Sequence, residues 1–161
     1  MHAKLPSGVQ EAGQKAILMP GDVQKANFCQ KLVEAATNKL GRVDIIVNNA
    51  AFQRNYEKPS DIPEEEFDRT FRTNVYGTFF LSQAAIEKLE EGGTIINTCS
   101  IQAYDPSPGL LAYAATKAAL VNFTKGLAKG CSEAEYSCEW RCAGTGLDAT
   151  HSSDPAQGEG G

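Results

Sequence analysis

Three short apolar runs, each followed by a stretch with helical periodicity, constrain the fold of this 161-residue chain more than any other feature. The runs are AILM at residues 16–19, VDIIV at 43–47 and TIINT at 94–98. Runs of this length fit strands that are buried on both faces, as parallel strands are. Strands that alternate with helices form a parallel sheet with helices packed on it. The sequence therefore predicts an α/β fold, a doubly wound, Rossmann-type parallel sheet covered on both faces.

The stretches between these runs carry signals of helix ends. Between residues 24 and 40 the apolar residues fall on one helical face, and Gly41 ends that stretch. Asp61 and Glu64 have the spacing of a capping box, which predicts a long helix that continues to the pair Gly92 and Gly93. The predicted buried face of this helix comprises Phe67, Phe71, Val75, Leu81, Ala85 and Leu89.

The segment of residues 100–117 carries the side chains with the clearest chemistry. Tyr113 and Lys117 are four residues apart, which places phenol and ammonium on one face of a helical turn. An ammonium beside a phenol stabilises the phenolate, and such a tyrosine can exchange a proton with an alcohol or carbonyl oxygen. Ser100 ends the preceding strand, where it could hydrogen-bond the same oxygen. The alternative is a surface pair on a helix with no chemical role.

Five motifs in the same order make the chain resemble the short-chain dehydrogenase/reductase family. They are PGDV at residues 20–23, NNAA at 48–51, Asn74, Ser100 at its strand end, and YAATK at 113–117. The serine stands thirteen residues before the tyrosine. Residues 100–117 are most similar to a subgroup of longer bacterial and fungal members with an N-terminal extension.

The resemblance implies roles for particular residues. The catalytic set would be Asn74, Ser100, Tyr113 and Lys117. The residues that bind NAD or NADP would be Asp22, Val23, Asn48, Ala50, Ala51, Tyr113 and Lys117. Asp22 could also cap the following helix, and Asn48 could simply form a turn after its strand. The family resemblance further implies a small alcohol or carbonyl substrate and a homo-oligomer built through the helices of Asn74 and Tyr113.

Bulk composition excludes several other classes of protein. The net charge of −5 argues against nucleic acid or an anionic membrane as a partner. No apolar stretch approaches the roughly twenty residues of a membrane span, and a cytoplasmic location is expected. Cys29 and Cys99 fit buried positions. No metal is expected, because the remaining cysteines and a nearby histidine lack the spacing of a zinc site; they are Cys131, Cys138, Cys142 and His151.

Both ends of the chain depart from the family pattern. The glycine-rich TGxxxGxG turn has no counterpart, and only 21 residues precede Asp22 where two βα units would need on the order of sixty. Residues 131–161 show no periodicity and are predicted to be irregular. We therefore expect a partial sheet without its first two strands and its C-terminal strands. The predicted domains are a partial NAD(P)-binding domain at 1–130 and an irregular tail at 131–161.

A shift of reading frame near residue 130 would explain the tail. Synonymous codons for residues 136–152, read one base later, encode IRVNGVAPGPVWTPLI, which resembles the family's next strand and its PG turn. Sequencing the coding DNA tests this hypothesis, since third bases that do not permit the shifted reading would refute it.

Two functions follow from these observations. One is an NAD(P)-dependent oxidoreductase that interconverts an alcohol and a carbonyl. The other, favoured for the chain as written, is a non-catalytic remnant or interaction fragment, because an apolar strand edge would be open and a phosphate-binding turn is missing. Three residues near the predicted site could line a substrate pocket: Gln102, Tyr104 and Leu111.

Overall fold

The computed structural model describes residues 7–131 and 137–143. Within these residues three strands and five helices follow one another: α1 (Ser7–Glu11), α2 (Ala26–Leu40), β1 (Val43–Asn48), α3 (Glu64–Phe71), α4 (Gly77–Ile86), β2 (Leu89–Ser100), α5 (Leu111–Cys131) and β3 (Ser137–Ala143). A π-helical turn, Arg72–Tyr76, joins α3 to α4. Short 3₁₀ turns lie at Pro59–Asp61, Ile101–Ala103 and Pro108–Leu110.

The strands form one parallel sheet in the order β1-β2-β3. Ile46 of β1 pairs with Ile95 of β2, and Asn48 pairs with Asn97. The register shifts between Val43 and Ile45, where β2 contains extra residues. Because the strands are parallel, the carboxyl ends of β1 and β2 lie at the same edge of the sheet, which is where ligands bind in sheets of this type.

One face of the sheet carries a helical layer and a hydrophobic core. Val33 of α2 and Ala85 of α4 pack with the strand residue Ile95, and Ile46 packs against the same cluster. Leu120 and Val121 of α5 pack on Cys99 of β2. The fold is thus a partial Rossmann-type sheet, as the sequence predicts.

The second face of the sheet differs from the prediction. Ile45 and Val47 alternate with the core residues of β1 and are 62% and 56% exposed. Within residues 7–131 and 137–143 no helix covers them, so the sheet is covered on one face. The expectation of helices on both faces is wrong for this part of the chain.

The first apolar run does not form a strand. Residues 16–19 lie in irregular backbone, and Leu18 is 45% exposed. A parallel strand exists only where a neighbour accepts and donates its backbone hydrogen bonds, and no described strand lies beside this run. Its apolar composition was therefore insufficient to specify a strand.

The long predicted helix is divided and ends early. Asp61 ends a 3₁₀ turn, and α3 begins at Glu64 behind Pro63 without a side-chain cap, so the capping-box prediction is wrong. Three glutamates in its first turn favour the helix start instead, since anions stabilise helix N-termini. Phe67, predicted buried, is 42% exposed. The helix ends at Ile86, and Gly92 and Gly93 lie within β2.

The strand β3 lies in the segment that was predicted to be irregular. It pairs in parallel with β2, from Thr94 opposite Ser137 to Ser100 opposite Ala143. A central strand offers hydrogen-bonding groups on both sides, so this pairing satisfies the second edge of β2. Residues 144–161, including His151, lie outside the described residues. None of the helices in the described ranges is long and apolar enough to cross a membrane.

Candidate active site

Ser100, Tyr113 and Lys117 lie where β2 ends and α5 begins. Ser100 is the last residue of β2 and is 7% exposed, and Lys117 is 3% exposed. The Lys117 Nζ atom lies 5.5 Å from the centroid of the Tyr113 ring. It also donates a hydrogen bond of 2.5 Å to the Thr98 carbonyl oxygen. The strand thus fixes the ammonium beside the phenol, as the i, i+4 spacing predicts.

Asn74 lies in the π-helical turn, and its side chain is fully engaged. The Asn74 amide nitrogen donates to the Phe52 carbonyl at 2.9 Å and to Thr116 Oγ1 at 2.9 Å, while its oxygen accepts from the Phe52 N–H at 2.7 Å. Asn74 is fully buried, and an extra residue in a helical turn commonly marks a functional position. The amide joins the loop after β1 to α5.

Thr116 is a member of this network that the motif analysis did not single out. Its hydroxyl accepts from Asn74 and donates to the Tyr113 carbonyl oxygen at 2.6 Å. Thr116 is fully buried between the tyrosine and the lysine of the motif. Its sequence position one residue before Lys117 was the available signal. The network therefore connects Asn74 with the helical turn that carries Tyr113.

Three predicted cofactor residues meet at the carboxyl end of β1. Val23, Asn48 and Ala50 line a small cavity of about 40 Å³, the space of one or two water molecules. A Cβ atom on Gly77 would lie 3.0 Å from Val23 Cγ2, so α4 approaches the PGDV turn closely. Ala51 is exposed and is not part of the cavity lining.

Asp22 lies exposed beside this cavity. Its carboxylate accepts a hydrogen bond of 3.0 Å from the Gln24 N–H, and α2 begins only at Ala26. Lys25 is the N-cap residue and makes no side-chain cap, so the alternative that Asp22 caps the helix is wrong. The carboxylate instead forms a turn with its own backbone.

Asn48 directs its side chain into the protein. Its amide nitrogen donates to Asn97 Oδ1 at 2.8 Å and to Ser82 Oγ at 3.1 Å. The amide nitrogen of Asn97 donates in turn to Thr124 Oγ1 at 2.8 Å, and Thr124 donates to the Leu120 carbonyl. This polar line joins α4, β1, β2 and α5 through the core. Sequence reasoning missed Ser82, Asn97 and Thr124, because the partners are 27 to 49 residues apart.

Cys29 lies behind the PGDV turn. Its thiol is buried and donates to the Val23 carbonyl, with a distance of 3.4 Å from sulfur to oxygen. Burial raises the pKa of the Cys29 thiol above its ordinary value, and the nearby Asp22 carboxylate raises that pKa further. Cys29 and Cys99 are both buried, as the sequence predicts. The thiol is therefore a structural donor at ordinary pH.

Comparison with known proteins defines the family. The sequence model described as short chain dehydrogenase matches residues 2–150. The chain is 46% identical over 125 residues to the uncharacterized oxidoreductase YghA of Escherichia coli. The aligned residues cover 78% of this chain and 42% of that protein. It is 41% identical over 115 residues to NADPH-dependent aldehyde reductase 1 of Arabidopsis thaliana, with 71% and 40% of the two chains covered. The chain belongs to the short-chain dehydrogenase family of oxidoreductases.

Solved structures are similar over most of the described residues. A short-chain dehydrogenase from Burkholderia cenocepacia, in complex with NADP, superposes with a TM-score of 0.82 at 31% identity, covering 93% of this chain and 61% of that one. A short-chain alcohol dehydrogenase from Sinorhizobium meliloti superposes with the same score at 30% identity, covering 89% and 57%. The chain spans about two fifths of the length of the curated relatives that it matches.

Proposed function

We propose that this chain carries the acid–base half of an NAD(P)-dependent oxidoreductase that interconverts an alcohol and a carbonyl. The observation that carries the proposal is the convergence of Ser100, Tyr113 and Lys117, with the ammonium held over the phenol ring by the Thr98 carbonyl. The Tyr113 phenol would give or take the substrate proton, with the Lys117 ammonium held next to it. Ser100 would donate to the same substrate oxygen, and Asn74 would support the proton relay beside Lys117.

The residues present fit two ends of the dinucleotide. Val23, Asn48 and Ala50, with the adjacent Asp22, would hold the adenosine side, because they form one surface at the carboxyl end of β1. Tyr113 and Lys117 would hold the nicotinamide ribose. Hydride transfer is the chemistry that nicotinamide supplies when bound. The NADP in the Burkholderia structure and the name of the Arabidopsis reductase favour NADP over NAD.

Cofactor titration is the experiment that tests this function. The purified chain is titrated with NADPH and with NADH by nucleotide fluorescence, with circular dichroism on the same sample. We expect saturable binding, tighter for NADPH, and reduction of an aldehyde probe such as 4-nitrobenzaldehyde. Tyr113→Phe should still bind NADPH, more weakly because its hydroxyl no longer reaches the nicotinamide ribose, and lose at least about a hundredfold in turnover. Tyr76→Phe, at a half-exposed tyrosine, serves as the matched control.

A second candidate function has its own support. Ile45 and Val47 are exposed on the sheet, and no strand pairs with the outer edge of β1 within the described residues. The 161 residues also contain no glycine-rich phosphate turn. A non-catalytic fragment that acts through association is the function these features favour. A folded chain without nucleotide binding in the titration would select this alternative.

We also propose that the segment after residue 130 is read out of frame. The shifted reading IRVNGVA would correspond to residues 136–143, and β3 spans Ser137–Ala143 beside β2. The coincidence of these limits supports the proposal, because the strand lies where that family segment would be expected. An oxidoreductase from the unshifted gene would then be more complete than this chain.

A further inference from the structure

We propose that Gln102 is a positioning residue for the hydroxyls of Ser100 and Tyr113. It acts through hydrogen bonds of its side-chain amide to Ser107, within the loop that connects β2 to α5. The inference rests on the proposed oxidoreductase function and adds a residue to it. Gln102 was predicted only as a candidate for lining the substrate pocket.

The side chain of Gln102 is engaged at both polar atoms. Its Nε2 donates to Ser107 Oγ at 2.9 Å, and its Oε1 accepts from the Ser107 N–H at 2.7 Å. Both partners belong to one residue, five positions further along the chain. The amide therefore closes the loop between β2 and α5.

The sequence of the loop explains why a side chain makes this cross-link. Pro106 and Pro108 have no backbone N–H to donate. Ser107, between them, has the only backbone donor of the three residues, and this donor goes to Gln102. The glutamine amide thus accepts from the one backbone N–H that these three residues have.

One end of the cross-link controls Ser100. The Gln102 backbone N–H donates to Ser100 Oγ at 3.3 Å. A hydroxyl has one hydrogen to donate and two sites that accept. When Ser100 accepts from Gln102, its own hydrogen stays available for a substrate oxygen. The position of Gln102 therefore fixes Ser100 as a donor.

The other end of the cross-link controls Tyr113. The Leu110 N–H donates to the Ser107 carbonyl at 2.9 Å, and α5 begins at the next residue. Tyr113 lies in the first turn of α5. The Gln102–Ser107 pair thus sets the end of β2 against the start of α5. Two hydroxyls that must meet one substrate oxygen tolerate little displacement, since about 1 Å can cost a hundredfold in rate.

The test uses the full chain, NADPH and 4-nitrobenzaldehyde as the probe. Gln102→Met keeps the side-chain size and the backbone donor but removes the amide pair. We expect kcat to fall about tenfold with an unchanged KM for NADPH and an unchanged midpoint in the pH profile, because the Tyr113–Lys117 pair stays intact. Ser107→Ala loses the hydroxyl but keeps the backbone donor, so it should lower kcat by less than Gln102→Met does. Ser107→Thr should retain activity, and the double variant should be no slower than Gln102→Met.

Controls separate this inference from the proposed function. Gln83→Met makes the same substitution at an exposed position of α4 and should leave kcat unchanged. In a Ser100→Ala background, Gln102→Met should cost less than it does in the unaltered chain, because only the placement of Tyr113 is then left to lose. An active chain whose kcat is unaffected by Gln102→Met would overturn the inference while leaving the function standing.

A chain that never reduces the probe would contradict the proposed function alone. In that case hydrogen exchange at the Gln102 N–H decides the inference. Exchange should be slow in the unaltered chain and at least about tenfold faster in Ser107→Ala, since the cross-link holds that N–H on Ser100 Oγ. Equal exchange rates would overturn the inference.

Discussion

Buried amide side chains connect the strands and helices that form the candidate site. Asn74, Asn48 and Asn97 are each buried, and the side-chain amide of each is hydrogen-bonded to a residue of another element. A buried polar group left without a partner costs about 1–3 kcal/mol, so these positions tolerate few other residues. The motif pattern identified Asn48 and Asn74, whereas Asn97 had no local signal because its partners are distant in sequence.

Cys29 gives a pH-dependent prediction. The thiol pKa is raised by burial and then by Asp22, and in the unfolded chain it returns to the ordinary value of about 8.5. The folded state therefore holds the proton more tightly, and stability falls as the pH rises above that ordinary value and through the higher folded pKa. We expect the unaltered chain to lose stability relative to Cys29→Ser as the pH rises above about 8.5.

Urea unfolding of both proteins at several pH values measures this difference. Serine keeps the donor to the Val23 carbonyl but has no proton to lose in this range. A constant difference between the two proteins across the pH range would contradict the prediction.

At the scale of elements, the sequence was most informative where local chemistry decides the structure. Gly41 ends α2 with a positive φ of 99°, and the Ser100 strand ends as predicted. Two predictions failed for different reasons. Residues 16–19 lack a strand neighbour, and strand pairing depends on residues distant in sequence that a local pattern does not encode. The helix after Pro63 starts without the Asp61 cap, because the charges of its first-turn glutamates favour the helix start.

The polar line from Asn48 to Asn97 gives a prediction about the joining of elements. Asn48→Ala and Asn97→Ala should each lower the free energy of unfolding by about 2–3 kcal/mol, because each leaves buried polar atoms unpaired. The double variant should cost less than the sum, with a coupling energy of about 1–2 kcal/mol. Chemical denaturation of the four proteins completes the cycle.

Asn122→Ala, at an exposed position of α5, provides the control and should change stability by less than about 0.5 kcal/mol. Strictly additive costs at Asn48 and Asn97 would show that the bond of 2.8 Å between them carries no coupling.

For the whole molecule, the sequence predicted the class of fold but not the exposure of one sheet face. Apolar runs predict that strands are buried without showing what buries them. In the described residues, α2, α4 and α5 pack on a single face. Ile45 and Val47 consequently contact solvent, a pattern of exposed apolar residues at a strand edge that favours association.

This exposure predicts how the chain associates. Replacing both Ile45 and Val47 by lysine should reduce light scattering at high protein concentration, because charges at an edge strand oppose intermolecular pairing. Phe79→Glu is the comparison, since Phe79 is 43% exposed on α4 and contacts Phe123 of α5 at a centroid distance of 6.3 Å. Homo-oligomers that depend on these helices would dissociate in Phe79→Glu and persist in the lysine variant. Unchanged scattering in the lysine variant would exclude the sheet face of Ile45 and Val47 as the surface through which chains associate.

The irregularity in β2 has a practical consequence for reporter design. Gly92 is exposed with a positive φ of 76°, and open space surrounds the position of its missing Cβ. Beyond it, pairing with β1 resumes at Ile45 opposite Thr94 and continues to the carboxyl end. Residues inserted at Gly92 would lengthen an existing irregularity near the amino-terminal end of β2, whereas Ser100 lies at its carboxyl end. A short peptide epitope or a fluorophore-bearing insert at this point would report on assembly of the sheet without disturbing the hydroxyl groups at its far end.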